Sequence, residues 1–355
     1  MVARRPFLAR TVRGLEAIAA AEARERLDAG DVRIGHRSVR FSSTAAAAEL
    51  LRLRSADDVF LVCGELQGVG HTRAALADLA ERARTLALEP CLDWIAEGRD
   101  VRPANGFELV VSFLGRRNFS RYDVEDVVGE AIGRRLGLPL VRMHDPERAV
   151  PDVSIRLHLE HTEGVVGARV GQGPLHRRPY KRDSVPGSLH PPVAYALVRV
   201  AGACERHVLL DPFCGAGTIP IEAQLGMGPL TAVAADVSQA ALRATRANAN
   251  RAGVRVLPVR ADAGRLPIRD GSIDRMVGNP PWRNQVGDLG SLRPGRLSLW
   301  REVSRVLAEG GCAVMLGLTD EDARTLGTCG LVSADALRLS LSGTWTTASI
   351  VSRSG

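Results

Sequence analysis

The spacing of apolar residues changes character along this chain. Near the start, Leu15, Ile18, Ala19, Ala23 and Leu27 fall on one helical face and predict a helix over Gly14–Leu27. Val32–Phe41 reads as one or two strands with Gly35 at a turn. Thr44–Leu53, with its alanine run, reads as a second helix, and Asp58–Glu65 as a strand. From about Thr72 to Val170 a second mixture follows. Leu76–Leu86 and Val124–Leu136 have helical spacing, whereas Phe107–Phe113, Asp152–Leu159 and Gly164–Val170 alternate as strands do. Both stretches predict small α+β units. Gly171–Ser188, rich in Gly, Pro and basic residues, reads as a connector.

From Val193 the pattern becomes regular. Short apolar runs at Val208–Leu210, Ala232–Ala235, Val254–Val259, Ile273–Val277 and Ala313–Leu316 predict strands. The helical patterns Ile219–Leu225, Gln239–Arg251 and Leu299–Leu307 lie between them. Strands alternating with helices predict a parallel sheet covered on both faces. A chain of 355 residues exceeds what one core usually organises, so two or three domains are expected. No apolar run is long enough to span a membrane, and no apolar segment follows the arginines of Met1–Arg10, which disfavours a signal peptide. The six cysteines form no C-x-x-C pair, so no metal site is signalled. Free thiols suit a reducing cytoplasm.

The sharpest local signal is Asp211-Pro-Phe-Cys-Gly215-Ala-Gly217, where an apolar strand runs into a glycine turn and then a helix. Such a loop is where a nucleotide-like cofactor approaches the backbone of a doubly wound sheet. Dinucleotide loops continue to a third glycine, and Pro220 stands there instead, against a NAD or FAD enzyme. Asp211 can position the charged methionine portion of S-adenosylmethionine, with Phe213, Gly215 and Gly217 shaping the loop. Asp236 ends the second strand and can accept from ribose hydroxyls, since Ser238 is available to cap the next helix. Asp262 ends the third strand and can accept from the adenine amino group.

Asn279-Pro280-Pro281-Trp282 follows the fourth strand. The prolines stiffen the loop and keep Asn279 out of helical conformation. A side-chain amide oxygen and a backbone carbonyl are two acceptors that match the two donors of an exocyclic NH₂, while Trp282 can stack on the base. Carbon methylation of cytosine would need a cysteine nucleophile in this motif, and there is none. Cys214 reads as a small packing residue.

The net charge of +7 suits a polyanionic partner, although arginine-rich composition explains part of it, Lys181 being the sole lysine. Arg116, Arg117 and Arg121 form one basic cluster. Arg177, Arg178, Lys181 and Arg182, interleaved with Pro179 and Tyr180, form another, suited to RNA phosphates.

Taken in order, Asp211–Gly217, Asp236, Asp262 and Asn279–Trp282 resemble class I methyltransferases. The Asp-Pro-Phe-Cys-Gly-Ala-Gly-Thr and Asn-Pro-Pro-Trp pair is similar to the THUMP-domain RNA guanine-N2 methyltransferases. Gly14-Leu15-Glu16 and Leu51–Val59 resemble that family's N-terminal ferredoxin-like domain, and Val111–Arg121 a THUMP strand, loop and helix start. The resemblance implies an α/β architecture: a ferredoxin-like domain at 1–66, a THUMP RNA-binding domain at 67–170, a linker at 171–190 and a Rossmann-like methyltransferase domain at 191–355. It also implies tRNA as partner, THUMP recognising its acceptor end, and a guanine N2 in the acceptor stem as target. A monomer is the default expectation. Two departures from the family pattern stand out. Trp282 replaces the more usual Tyr or Phe, and Asp183–Pro192 lacks the usual Ala-Pro-Leu pattern. Ribosomal RNA or adenine N6 remain alternative targets. A non-catalytic RNA-binding protein with a decayed methyltransferase fold is disfavoured by the intact acids, glycines and Asn279.

Overall fold

A computed structural model describes residues 3–99, 105–142, 150–281 and 296–354. The chain divides into two compact units: Met1–Arg10 with Ala19–Leu175, and Thr11–Ile18 with His176–Gly355.

The first unit runs β1 (Arg5–Arg10), α1 (Glu16–Leu27), β2 (Gly30–Gly35), β3 (Ser38–Ser43), α2 (Ala47–Leu50), β4 (Asp58–Leu66), α3 (Ala75–Ala83), α4 (Leu88–Arg99), β5 (Phe107–Leu114), α5 (Arg121–Leu136), β6 (Val153–Glu160) and β7 (Glu163–Arg169), with the start of α1 belonging to the second unit. Its strands form one seven-stranded sheet in the order β2-β3-β1-β4-β7-β6-β5. The sheet runs through the boundary expected at residue 66. β4 pairs antiparallel with β7 from Phe60↔Arg169 to Leu66↔Gly164, so neither strand is left as an edge with unpaired peptide groups. A single apolar cluster joins Phe7, Leu50 and Leu61 to Leu79, Phe107 and Ile155.

The helix expected over Thr44–Leu53 is confined to the four residues of α2. Beyond it, the N–H groups of Arg54 and Ser55 donate to the buried Glu22 carboxylate at 3.0 and 2.9 Å, which draws the chain out of helical hydrogen bonding. The sequence reading missed α4, in which Leu88, Leu92 and Ile95 are buried at helical spacing.

The second unit continues with α6 (Pro191–Val200), β8 (Val208–Asp211), α7 (Thr218–Gly226), β9 (Thr231–Asp236), α8 (Gln239–Ala252), β10 (Val256–Arg260), β11 (Ile273–Gly278), α9 (Leu297–Val306), β12 (Leu307–Leu316), α10 (Asp320–Thr328), β13 (Leu331–Leu341) and β14 (Thr344–Arg353). The sheet order is β10-β9-β8-β11-β12-β14-β13. Neighbours from β10 to β12 are parallel, as expected. The sheet is nevertheless mixed, because β14 runs antiparallel to β12 and pairs with β13 as a hairpin. Most of β13 is exposed, and its exposed positions mix Val and Ala with Ser, Asp and Arg without alternation, which hid it from a hydrophobic reading.

Alternation along the strands divides the core in two. Leu209, Ala232, Val277 and Val314 pack on one face with α6 and α7. Leu210, Val233, Met276 and Met315 pack on the other with Trp300 and Val303 of α9. The order of strands reverses between β8 and β11, and at such a point the loops leaving the two strands part and open a crevice at their carboxyl ends.

Candidate active site

A cavity of about 380 Å³ lies at this crevice, within the size range of small-molecule sites. Asp211, Phe213, Gly215, Asp236, Asn279 and Pro280 all line it. Asp211 ends β8 and is fully buried, its carboxylate accepting the Phe213 N–H at 3.0 Å. Burial, with the Asp236 charge adding to it, pushes the Asp211 carboxyl up to about 8. The loop then turns at Gly217 (φ +80°), the N-cap of α7, where a Cβ would stand 2.8 Å from the Thr245 methyl group. No L side chain fits that conformation without strain.

The Gly215 N–H donates to Asp236 at 3.0 Å, and the Ser238 N–H to its other oxygen at 2.8 Å. Ser238 Oγ accepts from the Ala241 N–H and caps α8. Asp236 is therefore not spent on the helix, and each of its oxygens has a further lone pair. From α8, Thr245 Oγ1 donates to the Gly215 carbonyl and Asn248 Nδ2 to that of Ala216, each at 2.9 Å. These two side chains hold the glycine loop from behind, and sequence reading did not single them out. Cys214 is buried, and burial foremost, then Asp211, pushes its thiol up, so it carries no thiolate nucleophile.

Asp262 differs from expectation. It follows β10 at the same sheet edge, but its carboxylate accepts the Gly264 N–H at 2.9 Å and the residue is not among those lining the cavity. Asn279 follows β11, and its amide nitrogen donates to the Gly187 carbonyl at 3.3 Å. Pro280 and Pro281 complete that side. Trp282 lies outside the described residues.

The connector supplies the remaining wall. Val185, Pro186, Gly187, Ser188 and Leu189 line the cavity. The segment is anchored from α8, since Asn248 donates to the Asp183 carbonyl at 2.9 Å and Arg251 pairs with the Asp183 carboxylate. Ser188 Oγ is buried without a hydrogen-bond partner among the described residues, and a buried hydroxyl is costly unless a ligand or water meets it. On the other side of this wall is a second, more open cavity of about 1030 Å³. It shares Val185, Gly187, Ser188, Leu189 and Asn279 with the first and adds His176, Arg177, Lys181 and Thr344.

The basic residues separate into two kinds. Arg177 and Arg182 are exposed. Arg178, expected to meet phosphate, touches the wide cavity but is committed to a buried ion pair. It pairs with Glu222 at 3.0 Å, the two side chains being 8% and 0% exposed, and the Tyr180 hydroxyl donates to the same carboxylate at 2.7 Å. Lys181 donates to the Leu189 carbonyl, and burial draws its ammonium down to about 8 against the opposing Glu222 charge. In the first unit, Arg116 and Arg121 are exposed. Arg117, also expected to face RNA, donates to the carbonyls of Gly70 and His161 and stacks on Phe113 and Phe119, so its nitrogens join two loops.

The raised Asp211 carboxyl has a consequence for stability. Folded, it keeps its proton up to pH about 8, whereas the unfolded chain loses it near 3.8. The folded state therefore binds the extra proton across that window, and stability falls as pH rises through it. Asp211→Asn is expected to flatten this slope when unfolding by denaturant is followed from acid to mildly alkaline pH. Equal slopes in the two proteins would contradict the assignment.

Residues 178–329 match the family described as RMKL-like, methyltransferase domain. The tRNA (guanine(6)-N2)-methyltransferase of Thermus thermophilus is 33% identical over 221 residues, 62% of this chain and 64% of that protein. The mouse U6 snRNA (guanine-N(2))-methyltransferase THUMPD2 is 30% identical over 208 residues, 58% of this chain and 38% of that protein. The chain thus spans less than two thirds of the length of either relative. Among solved structures, TrmN from Thermus thermophilus is similar with a TM-score of 0.77 and 27% identity, over 98% of this chain and 99% of that one.

Proposed function

We propose, on the premise that residues 178–329 are an RMKL-like methyltransferase domain, that this protein is an S-adenosylmethionine-dependent RNA methyltransferase acting on the N2 amine of a guanine, with the tRNA acceptor stem as its target. The observation that carries the reading is the position of Asn279 on the wall between two unlike cavities. One is narrow, apolar and closed by a glycine loop with two acids. The other is wide, open and basic.

The narrow cavity fits the cofactor. Asp211 offers a carboxyl to a cationic amino group, Asp236 a pair of acceptors to ribose hydroxyls, and Ser188 an unmet hydroxyl. When bound, S-adenosylmethionine supplies a methyl group activated on a sulfonium. The protein's own part is positioning. The Asn279 amide oxygen and the Pro280 backbone hold the two hydrogens of the base amine, which draws its lone pair out of conjugation and aims it at the methyl. Trp282 would stack on the base. A base reaches such a site only when unpaired or flipped out of its helix. Arg177 lines the wide cavity and, with the exposed Arg182 of the same segment, suits the phosphates of the RNA, while Arg116 and Arg121 are exposed basic residues of the first unit. Asp262 remains a candidate for the adenine amine only if ligand binding brings it inward.

The two relatives are named for guanine N2 but for different RNAs, so the atom is better supported than the molecule. No helix among the described residues is long and apolar enough to cross a membrane. The free cysteines support a reducing compartment, which we take as the cytoplasm. Incubation with methyl-labelled cofactor and separate tRNA and rRNA fractions, followed by nucleoside analysis, tests the reading. N2-methylguanosine in tRNA is expected. Label on adenine or on a ring carbon would overturn the mechanism, and label confined to rRNA would overturn the choice of RNA.

A further inference from the structure

In the second unit, the segment before α1 lies against β13. The Ser340 N–H donates to the Arg13 carbonyl at 2.9 Å. A Cβ on Gly14 (φ +101°) would stand 2.2 Å from the Arg338 carbonyl oxygen, so the two backbones meet at a distance only glycine permits. This contact brings Arg13 to the exposed face of the β13–β14 hairpin. There the guanidinium carbons of Arg13 and Arg338 lie 4.6 and 4.9 Å from the centre of the Trp345 indole ring. Trp345 is 41% exposed, and both arginines are exposed. Neither has a carboxylate partner among the described residues.

Two cations gathered on one aromatic ring repel each other. Stacking on an exposed ring is by itself a weak attraction. What the ring provides is orientation. A guanidinium whose face lies on indole keeps its N–H edge in solvent, the edge that grips a phosphate bidentately. An anion arriving there relieves the repulsion and meets donors already in place. The hairpin also leads to the wide cavity, because Leu341, Ser342 and Thr344 at its turn line that cavity together with Asn279. Trp345 is the next residue along.

We propose that Arg13, Trp345 and Arg338 form a phosphate clamp for the RNA strand flanking the target nucleotide, separate from the basic residues 177–182. The proposal rests on the reading of the wide cavity as the site of the base. The test is tRNA affinity across a salt series for the unmodified protein, Arg13→Ala with Arg338→Ala, Trp345→Ala and Trp345→Tyr. Arg243→Ala with Arg246→Ala, on the exposed face of α8, controls for net charge. Cofactor affinity by calorimetry reports the fold of each variant.

Loss of both clamp arginines should reduce the slope of log K against log salt by about 1.4–1.8. Trp345→Ala should weaken binding at unchanged charge, and Trp345→Tyr should restore it. An unaltered slope in the clamp pair, or an equal loss in the control pair, overturns the proposal while leaving the enzymatic reading intact. If the unmodified protein binds no RNA, that reading fails and the clamp with it. Should Trp345→Ala lose its fold, the two arginine pairs decide alone.

Discussion

Asn279→Ala is expected to lower the methyl-transfer rate on RNA by roughly 10²–10³-fold while leaving cofactor affinity within a few-fold. The expectation follows from where Asn279 stands. Its amide is fixed by the Gly187 carbonyl, so the acceptor presented to the base amine is set before any ligand binds, and preorganised polar groups act most strongly in such places. The cofactor's charged and ribose groups are instead assigned to Asp211 and Asp236, whose contacts do not involve Asn279. Asn279→Asp keeps an oxygen acceptor of the same reach and should retain more activity than alanine. Single-turnover rates with saturating RNA, beside calorimetric titration of the cofactor, separate the two effects. Loss of cofactor binding together with turnover would show that Asn279 holds the narrow cavity together and has no separate role toward the base.

Arg178→Ala should destabilise the second unit by about 3–5 kcal/mol, because it leaves the Glu222 carboxylate buried without its cation. Tyr180 still donates to Glu222, but a neutral hydroxyl does not balance a desolvated charge. Removing the charge as well should recover most of the loss, so Arg178→Met with Glu222→Gln is expected to approach the stability of the unmodified protein. Arg177→Ala, one residue away and exposed, should leave stability nearly unchanged and weaken RNA binding. Denaturant unfolding of the four proteins measures this. Equal stability in the two alanine variants would return Arg178 to the phosphate-binding group.

The contrast between these adjacent arginines shows where sequence reading reaches its limit. They are the same residue type in the same basic run, and what buries one is Glu222, 44 positions along the chain. The parallel strands β8 to β12 and the loops at their ends were legible, because an apolar run, a glycine turn and an acid at a strand end are local signals. Ser238 was correctly read as the cap that releases Asp236. The wall at 185–189 was not legible. Val-Pro-Gly-Ser-Leu carries no chemistry of its own, and it becomes part of a site only because Asn248 and Arg251 of α8 hold the segment in place. β13 escaped for a related reason, since an exposed edge strand need not alternate. Arg117 shows the reverse error, a basic residue near a loop whose nitrogens join that loop to its neighbours.

The partition between the two cavities is a single layer of chain: Val185, Gly187, Ser188, Leu189 and Asn279 line both. A single molecule that joins an adenosyl group to a guanine by a short linker would therefore have little to cross. Tethering makes the second contact intramolecular, and such a bisubstrate compound can exceed either half in affinity by a factor on the order of 10²–10⁴ when the span matches. Linker length, varied atom by atom, would then act as a ruler for the distance the methyl group travels.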